Sequence, residues 1–289
     1  MRKIIAISLL LLASNFAVAQ TLTVPPSGDN QKSSITQWIG LAKINITYSS
    51  PDIHAPDGTD RTGHIWGELV PYGVNNLGFG TASAAPWRAG ANENTVVYFS
   101  EDVKINGKDL KAGTYGLHLI VEKDNPWTWV FSKNHTSWGS YFYDQKEDAL
   151  RVEANAMDAP FVEYLTYGFD VRKPSSTVAF LHWENKKIGF KVEVPNINEL
   201  YIATMRDESR GEAGFDYQHW MTAANFCVQH TTNLDEALTW ADAAISAPFV
   251  GQENFNSLQT KANVLYAMKK NTDANAVMDV AIKHPTANV

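Results

Sequence analysis

The apolar pattern of this chain changes period once, at Pro195-Asn196. Upstream, apolar and polar residues alternate over short runs, as Ile44, Ile46 and Tyr48 do against Asn45 and Thr47. Downstream they recur at i, i+3, i+4 and i+7, as in Leu234, Ala237, Leu238 and Ala241. Alternation turns one face of a strand inward, whereas the longer spacing turns one stripe of a helix inward, and neither pattern buries its apolar set in the other conformation. The chain is therefore expected to fold as a β part followed by an α part. A length of 289 residues, 44% apolar and 19% charged, suits a folded protein of about two domains.

Strands are expected at 34–39, 42–49, 95–99, 103–105, 113–122, 127–132, 150–154, 163–171, 177–183 and 188–194. Asn106-Gly107 is a two-residue hairpin sequence, since both residue types tolerate positive φ. The last two strands are read as joined by a turn at Glu184-Asn-Lys-Lys187. Short strands separated by turn signals, with no helix between them, predict an antiparallel β-sandwich over residues 33–195, favoured over a barrel. Segments 51–67 and 74–85, rich in Gly, Pro, Asp, Asn and Thr, read as long loops. Loops of this length are uncommon in compact domains unless they bind something or are disordered.

Residues 196–289 are expected to be all α. Asn198 is a candidate cap for a first helix, and further helices are expected at 217–229, 234–246, 253–269 and 273–283. Asp242-Ala-Ala-Ile245 is echoed by Asp279-Val-Ala-Ile282, and Ala237 by Ala274, all 37 positions apart. That offset is close to the ~34-residue tetratricopeptide period, so the tail resembles about two tetratricopeptide-like hairpins. With fewer than three repeats it is expected to dock on the β part.

The N-terminus carries an export pattern. Arg2 and Lys3 precede an apolar run over residues 4–13, and Ala17-Val-Ala19 supplies the small residues a signal peptidase needs. Cleavage is expected before Gln20, leaving residues 20–32 as a polar flexible lead-in. The apolar run is too short to span a bilayer, which takes about 20 residues, so no membrane insertion is expected. No cysteine follows it to take a lipid; the product is expected to be soluble in the periplasm or outside the cell. The lone cysteine, Cys227, rules out an internal disulfide and is expected to be a buried apolar residue on a helix. A net charge of −7 with no clustered Lys or Arg argues against a nucleic-acid partner.

Candidate chemistry gathers around the glycines of the β part. Trp66, Tyr72, Trp87, Trp138 and Tyr141 are aromatic residues at or beside loops, and Arg88, Asn92 and Glu93 surround Gly90. Rings offer stacking area, while a guanidinium, an amide and a carboxylate direct hydrogen bonds, a mixture suited to a polar small molecule or a glycan. On this reading Arg88 binds a carboxylate, sulfate or phosphate, Asn92 orients a hydroxyl and Glu93 acts as base or acceptor. The plainer reading is that the loops fold back over the sandwich and that an Arg–Glu pair and an Asn turn brace them. A glycosidase would need a second carboxylate roughly 5–9.5 Å from Glu93, for which Glu68, Asp144 and Asp148 are candidates. Trp127 and Trp129 share a strand face and read as core. His54, His64, His118, His135 and His182 are scattered without metal spacing and read as structural, so neither a metal nor a cofactor is expected.

Ile44-Asn-Ile-Thr-Tyr-Ser49, Leu69-Val-Pro-Tyr-Gly73 and Trp87-Arg-Ala-Gly-Ala-Asn-Glu93 are joined by Ala112-Gly-Thr-Tyr-Gly116, Trp138-Gly-Ser-Tyr141 and Asp148-Ala-Leu-Arg151. On these segments the β part, over about residues 30–195, resembles an uncharacterised bacterial family, domain of unknown function 2911. Relative to that family's form, residues 74–85 are inserted and Ala89 stands where Thr is usual. The resemblance implies an exported protein, often with a helical tail, and no established activity. The reading favoured here is an exported binding module. Its rivals are a carbohydrate-active hydrolase or lyase using Glu93 and Arg88, and a structural envelope protein meeting a partner through its helical tail.

Overall fold

The computed structural model describes Gly28 and residues 30–287. The expected signal segment 1–19 and most of the lead-in lie outside the described residues; the end of the lead-in, Gln31 and Lys32, opens the first strand instead of staying irregular. Ten strands come first: β1 (Gln31–Ile39), β2 (Ala42–Ser50), β3 (Ala91–Phe99), β4 (Val103–Ile105), β5 (Lys108–Leu110), β6 (Gly113–Ile120), β7 (Trp127–Ser132), β8 (Asp148–Ala154), β9 (Met157–Lys173) and β10 (Ser176–Glu193). Five helices follow: α1 (Ile197–Glu208), α2 (Tyr217–His230), α3 (Leu234–Ser246), α4 (Phe255–Ala267) and α5 (Asn271–Ala281).

The strands form two antiparallel sheets, one ordered β1-β2-β3-β6-β7-β8 and the other β5-β4-β10-β9. Alternation sets the register of the larger sheet. Ile46, Val97 and Tyr115 lie side by side across β2, β3 and β6, and Leu119, Trp129 and Val152 across β6, β7 and β8. These rows face Leu181, Trp183, Phe190 and Val192 of β10 in one buried cluster. Phe190 meets Trp129 and Phe131 edge-on, each with ring centroids 5.2 Å apart. The two sheets thus share a core as a sandwich, as the alternation predicts. Both expected core tryptophans of β7, Trp127 and Trp129, are buried.

Asn106 and Gly107 both have positive φ and turn β4 into β5. The turn expected at 184–187 does not form; β10 runs through it as a single strand of 18 residues. The sequence contained the reason. Inward residues are odd-numbered before it (Ala179, Leu181, Trp183) and even-numbered after it (Ile188, Phe190, Val192). An extra residue that flips the phase is the mark of a β-bulge. Glu184 sits there with φ +51, between two register shifts against β9.

The tail begins by touching the sandwich. Ile197 and Leu200 of α1 pack on the β core, whereas Ile202 is buried in the helical core. A Cβ added to Gly40, in the β1–β2 turn, would come within 2.8 Å of Ile197 and 2.9 Å of the Tyr201 hydroxyl, so the turn needs glycine for close approach as well as for its φ of +55. The first helix starts at Ile197 after Asn196, not at the expected cap Asn198. Three-residue connections join α2 to α3 and α4 to α5, as in helical hairpins. The 37-residue offset falls on fully buried small residues, Ala237 with Ala274 and Ala244 with Ala281. Cys227 is buried on α2, and burial pushes its thiol up to about 11, which keeps it protonated and inert. Among the described residues no helix is long and apolar enough to cross a membrane.

Candidate functional site

Residues 51–90 link β2 to β3 by crossing the end of the larger sheet. β3 accompanies β6 only as far as Leu117. Beyond that point the loop takes over the free edge. Trp87 exchanges two backbone hydrogen bonds with Leu119, at 3.1 and 2.8 Å, and the Gly73 N–H donates to the Val121 carbonyl at 2.7 Å. The pairing satisfies β6 and fixes the Trp87 ring over the open end of the sandwich. There it stacks on Trp183, with centroids 6.2 Å apart and planes 19° from parallel. Trp66 wedges against both, at 5.9 and 6.0 Å, and against Trp127 at 5.1 Å.

A second segment of the loop is held by ions. The Arg61 guanidinium donates to the carbonyls of Ile53, Asp52 and His54 at 2.9–3.2 Å. The buried Glu184 carboxylate of the β10 bulge accepts the Gly63 N–H at 2.5 Å. Between these segments lies a cleft of about 340 Å³ whose walls include Trp87, Trp183, Leu69 and Pro51, with Arg88 and Ser140 among its polar lining.

Of the eight residues singled out in the sequence, Trp87 and Arg88 line this cleft. Arg88 is held edge and face. Its Nη1 donates to the Asn92 carbonyl, and its Cζ lies 5.1 Å from the centre of the Tyr141 ring. Gly139 packs directly against it, and a Cβ there would stand 2.1 Å from that Cζ. Tyr141 is thus a platform for Arg88, and its own carbonyl accepts the N–H groups of Thr81 and Ala82 at 3.0 Å each. Trp66 forms a layer behind Trp87 and Trp183. Tyr72 lies over Gly67 and donates to the Trp66 carbonyl at 3.3 Å, bracing the loop although 40% exposed. Trp138 is 55% exposed and does not line the cleft.

Asn92 and Glu93 point elsewhere. Asn92 has φ +58, and its side-chain oxygen accepts from Asn30 at 3.5 Å. Glu93 forms an ion pair with Lys32 of β1 at 2.7 Å and accepts from Ser49 at 3.4 Å. Partial burial raises its pKa, but the hydrogen bonds from Lys32, its own backbone and Ser49 outweigh that, and the net shift is downward. The candidate second carboxylates are engaged as well: Glu68 with His64, Asp144 with the Lys146 N–H, and Asp148 with Tyr143 and Arg151. No Asp or Glu lines the cleft among the described residues, and no group of His, Cys, Asp and Glu there could hold a metal.

The sequence reading missed one pair. His118 of β6 lies on the face of the sheet away from the sandwich core and would be exposed there, but Ser140 and Tyr143 lie against it, and Ala82 and Ala85 pack with Val130 and Tyr143 in a small cluster on that face. Its Nδ1 is 2.9 Å from Oγ of Ser140, and its ring meets Tyr143 edge-on at 5.5 Å. Burial, helped by the positive charge of Arg88, lowers its pKa to about 3, so the imidazole is neutral at physiological pH. The signal available in the sequence was Ser140 itself, inside Trp138-Gly-Ser-Tyr141.

No curated protein and no solved structure matches the chain significantly. A family model described as "Protein of unknown function (DUF2911)" matches residues 30–192, more than half of the chain, covering every strand from β1 to β9 and all of β10 but its last residue. That span holds the whole loop that builds the cleft, and the chain belongs to this DUF2911 family.

Proposed function

We propose that the protein is exported and acts as a binding module whose ligand, a polar small molecule or a glycan unit, lies in the cleft against Trp87 and Arg88. The export half of this reading rests on Arg2, Lys3, the apolar run at 4–13 and Ala17-Val-Ala19. The binding half rests on one observation. A stacked indole pair forms a wall beside a guanidinium that, among the described residues, makes one hydrogen bond with its five N–H donors. An apolar wall with a few directed polar groups is the usual composition of a small-molecule site, and about 340 Å³ is within the usual size range.

The test is a panel of sugars, amino acids and aromatic acids screened against the mature chain by thermal shift and calorimetry. At least one compound should raise the melting temperature of the wild type and lose roughly tenfold or more in affinity on Trp87→Ala, with the fold intact by circular dichroism. A panel without a single binder, or binding indifferent to Trp87→Ala, removes the cleft from consideration.

A further inference from the structure

The charge of the cleft lining runs against that of the protein. The chain carries a net −7, yet the cleft is lined by two arginines, Arg61 and Arg88, and by no carboxylate among the described residues. Arg61 is largely spent on three loop carbonyls, with the Asp52 carboxylate 3.9 Å away. Arg88 is not: among the described residues it has no carboxylate partner, and it rests on a ring face, which orients a guanidinium without neutralising it. Uncompensated positive charge in a partly desolvated cleft favours a negative ligand more strongly than it would on an open surface.

Ser140 adds direction. It is 1% exposed as a residue and still contributes to the cleft wall. Among the described residues its Oγ has one partner, Nδ1 of a neutral imidazole. When Nδ1 carries the ring proton it donates to Oγ, and the serine hydroxyl hydrogen is released toward the cleft as a donor. Serving as a catalytic base would be difficult for His118. Taking the serine proton would place a second positive charge beside Arg88 with no carboxylate of the cleft lining, among the described residues, to offset it, so the pair suits recognition better than acyl transfer.

We infer that the cleft selects a flat organic acid, its carboxylate received by Arg88 and Ser140 and its apolar body laid against Trp87, with His118 as the positioning residue that sets the serine hydroxyl. This deepens the binding reading above and rests on it. A neutral sugar would leave Arg88 without a counter-charge, and a cationic ligand would be repelled.

The experiment compares 2-naphthoate with its neutral isostere 2-naphthamide on the full mature chain by calorimetry. The acid should bind at least roughly tenfold tighter than the amide, as expected for a charge-assisted contact. Arg88→Gln should abolish that ratio, weakening the acid far more than the amide, and Arg88→Lys should restore part of it. Ser140→Ala should weaken the acid about fivefold or more and the amide less. His118→Phe should reproduce the Ser140→Ala ratio, whereas His118→Asn, which keeps a donor, should recover it; a purely structural role would move both ligands alike. Equal affinity for acid and amide in the wild type, or a ratio that survives Arg88→Gln, overturns the charge assignment and leaves the binding reading standing. Failure of the acid to bind also overturns it, and the compound panel then decides whether the cleft binds at all.

Discussion

Trp87-Arg88 and Asn92-Glu93 are separated by three residues, yet they serve different faces of the molecule. The first pair is anchored to the edge of β6 and turned into the cleft. The second belongs to β3 and is turned toward β1, where Glu93 meets Lys32. Between them the backbone reverses through Ala89 at φ +50, an unusual conformation for alanine that costs roughly 1–2 kcal/mol. The Ala89 carbonyl accepts from the Tyr167 hydroxyl at 2.8 Å and from Thr95 at 3.1 Å, and the residue is fully buried. Two buried hydrogen bonds offset that strain. A turn of a few residues can therefore divide a polar cluster that looks continuous in sequence into a half that lines the cleft and a half that braces the sheet.

The division can be broken at several points. Trp183→Ala removes a ring shared by the core and the cleft wall; it should cost about 3–5 kcal/mol in chemical denaturation and abolish binding together with stability. The pH dependence of stability should report on His118. Its folded pKa lies below the unfolded value, so as pH falls the unfolded chain takes up the proton first. The stabilisation is complete above pH 6.5 and is lost as pH falls toward 3, by about 1.4 kcal/mol per unit, or about 2 kcal/mol by pH 5. His118→Asn should flatten that part of the profile, and an unchanged slope would mean that Arg88, Ser140 and Tyr143 do not hold the ring as described. Gly139→Ala should cost on the order of 1–2 kcal/mol through its φ of +64 and displace Arg88 from the Tyr141 ring, weakening acid binding more than the fold. Glu93→Gln should be the mildest change, under about 1 kcal/mol because its pair with Lys32 is partly solvated, with cleft binding unaffected. If Glu93→Gln abolished binding, the separation between the two halves would be wrong.

Strand and helix assignments were legible because alternation and helical spacing are local. Helix α3 falls on residues 234–246 as expected, and β4 and β7 on 103–105 and 127–132. The misreading at 184–187 came from taking polar residues as a turn when the phase of the flanking apolar residues indicated a bulge. At the cleft, Trp87 and Arg88 were singled out from residue type, and both line it. The parts played by Ser140 and His118 were not, because a histidine on the outer face of a strand becomes buried only when distant segments fold over it.

The sequence by itself determined the order of β then α and the alternation that makes a sandwich, because each of these depends on neighbours along the chain. Tertiary structure alone decided which residues share a cleft, which way Glu93 faces, and that His118 is neutral. Those outcomes depend on contacts between segments far apart in sequence, where a loop replaces a strand at the edge of β6 and a glycine leaves room for an arginine over a ring.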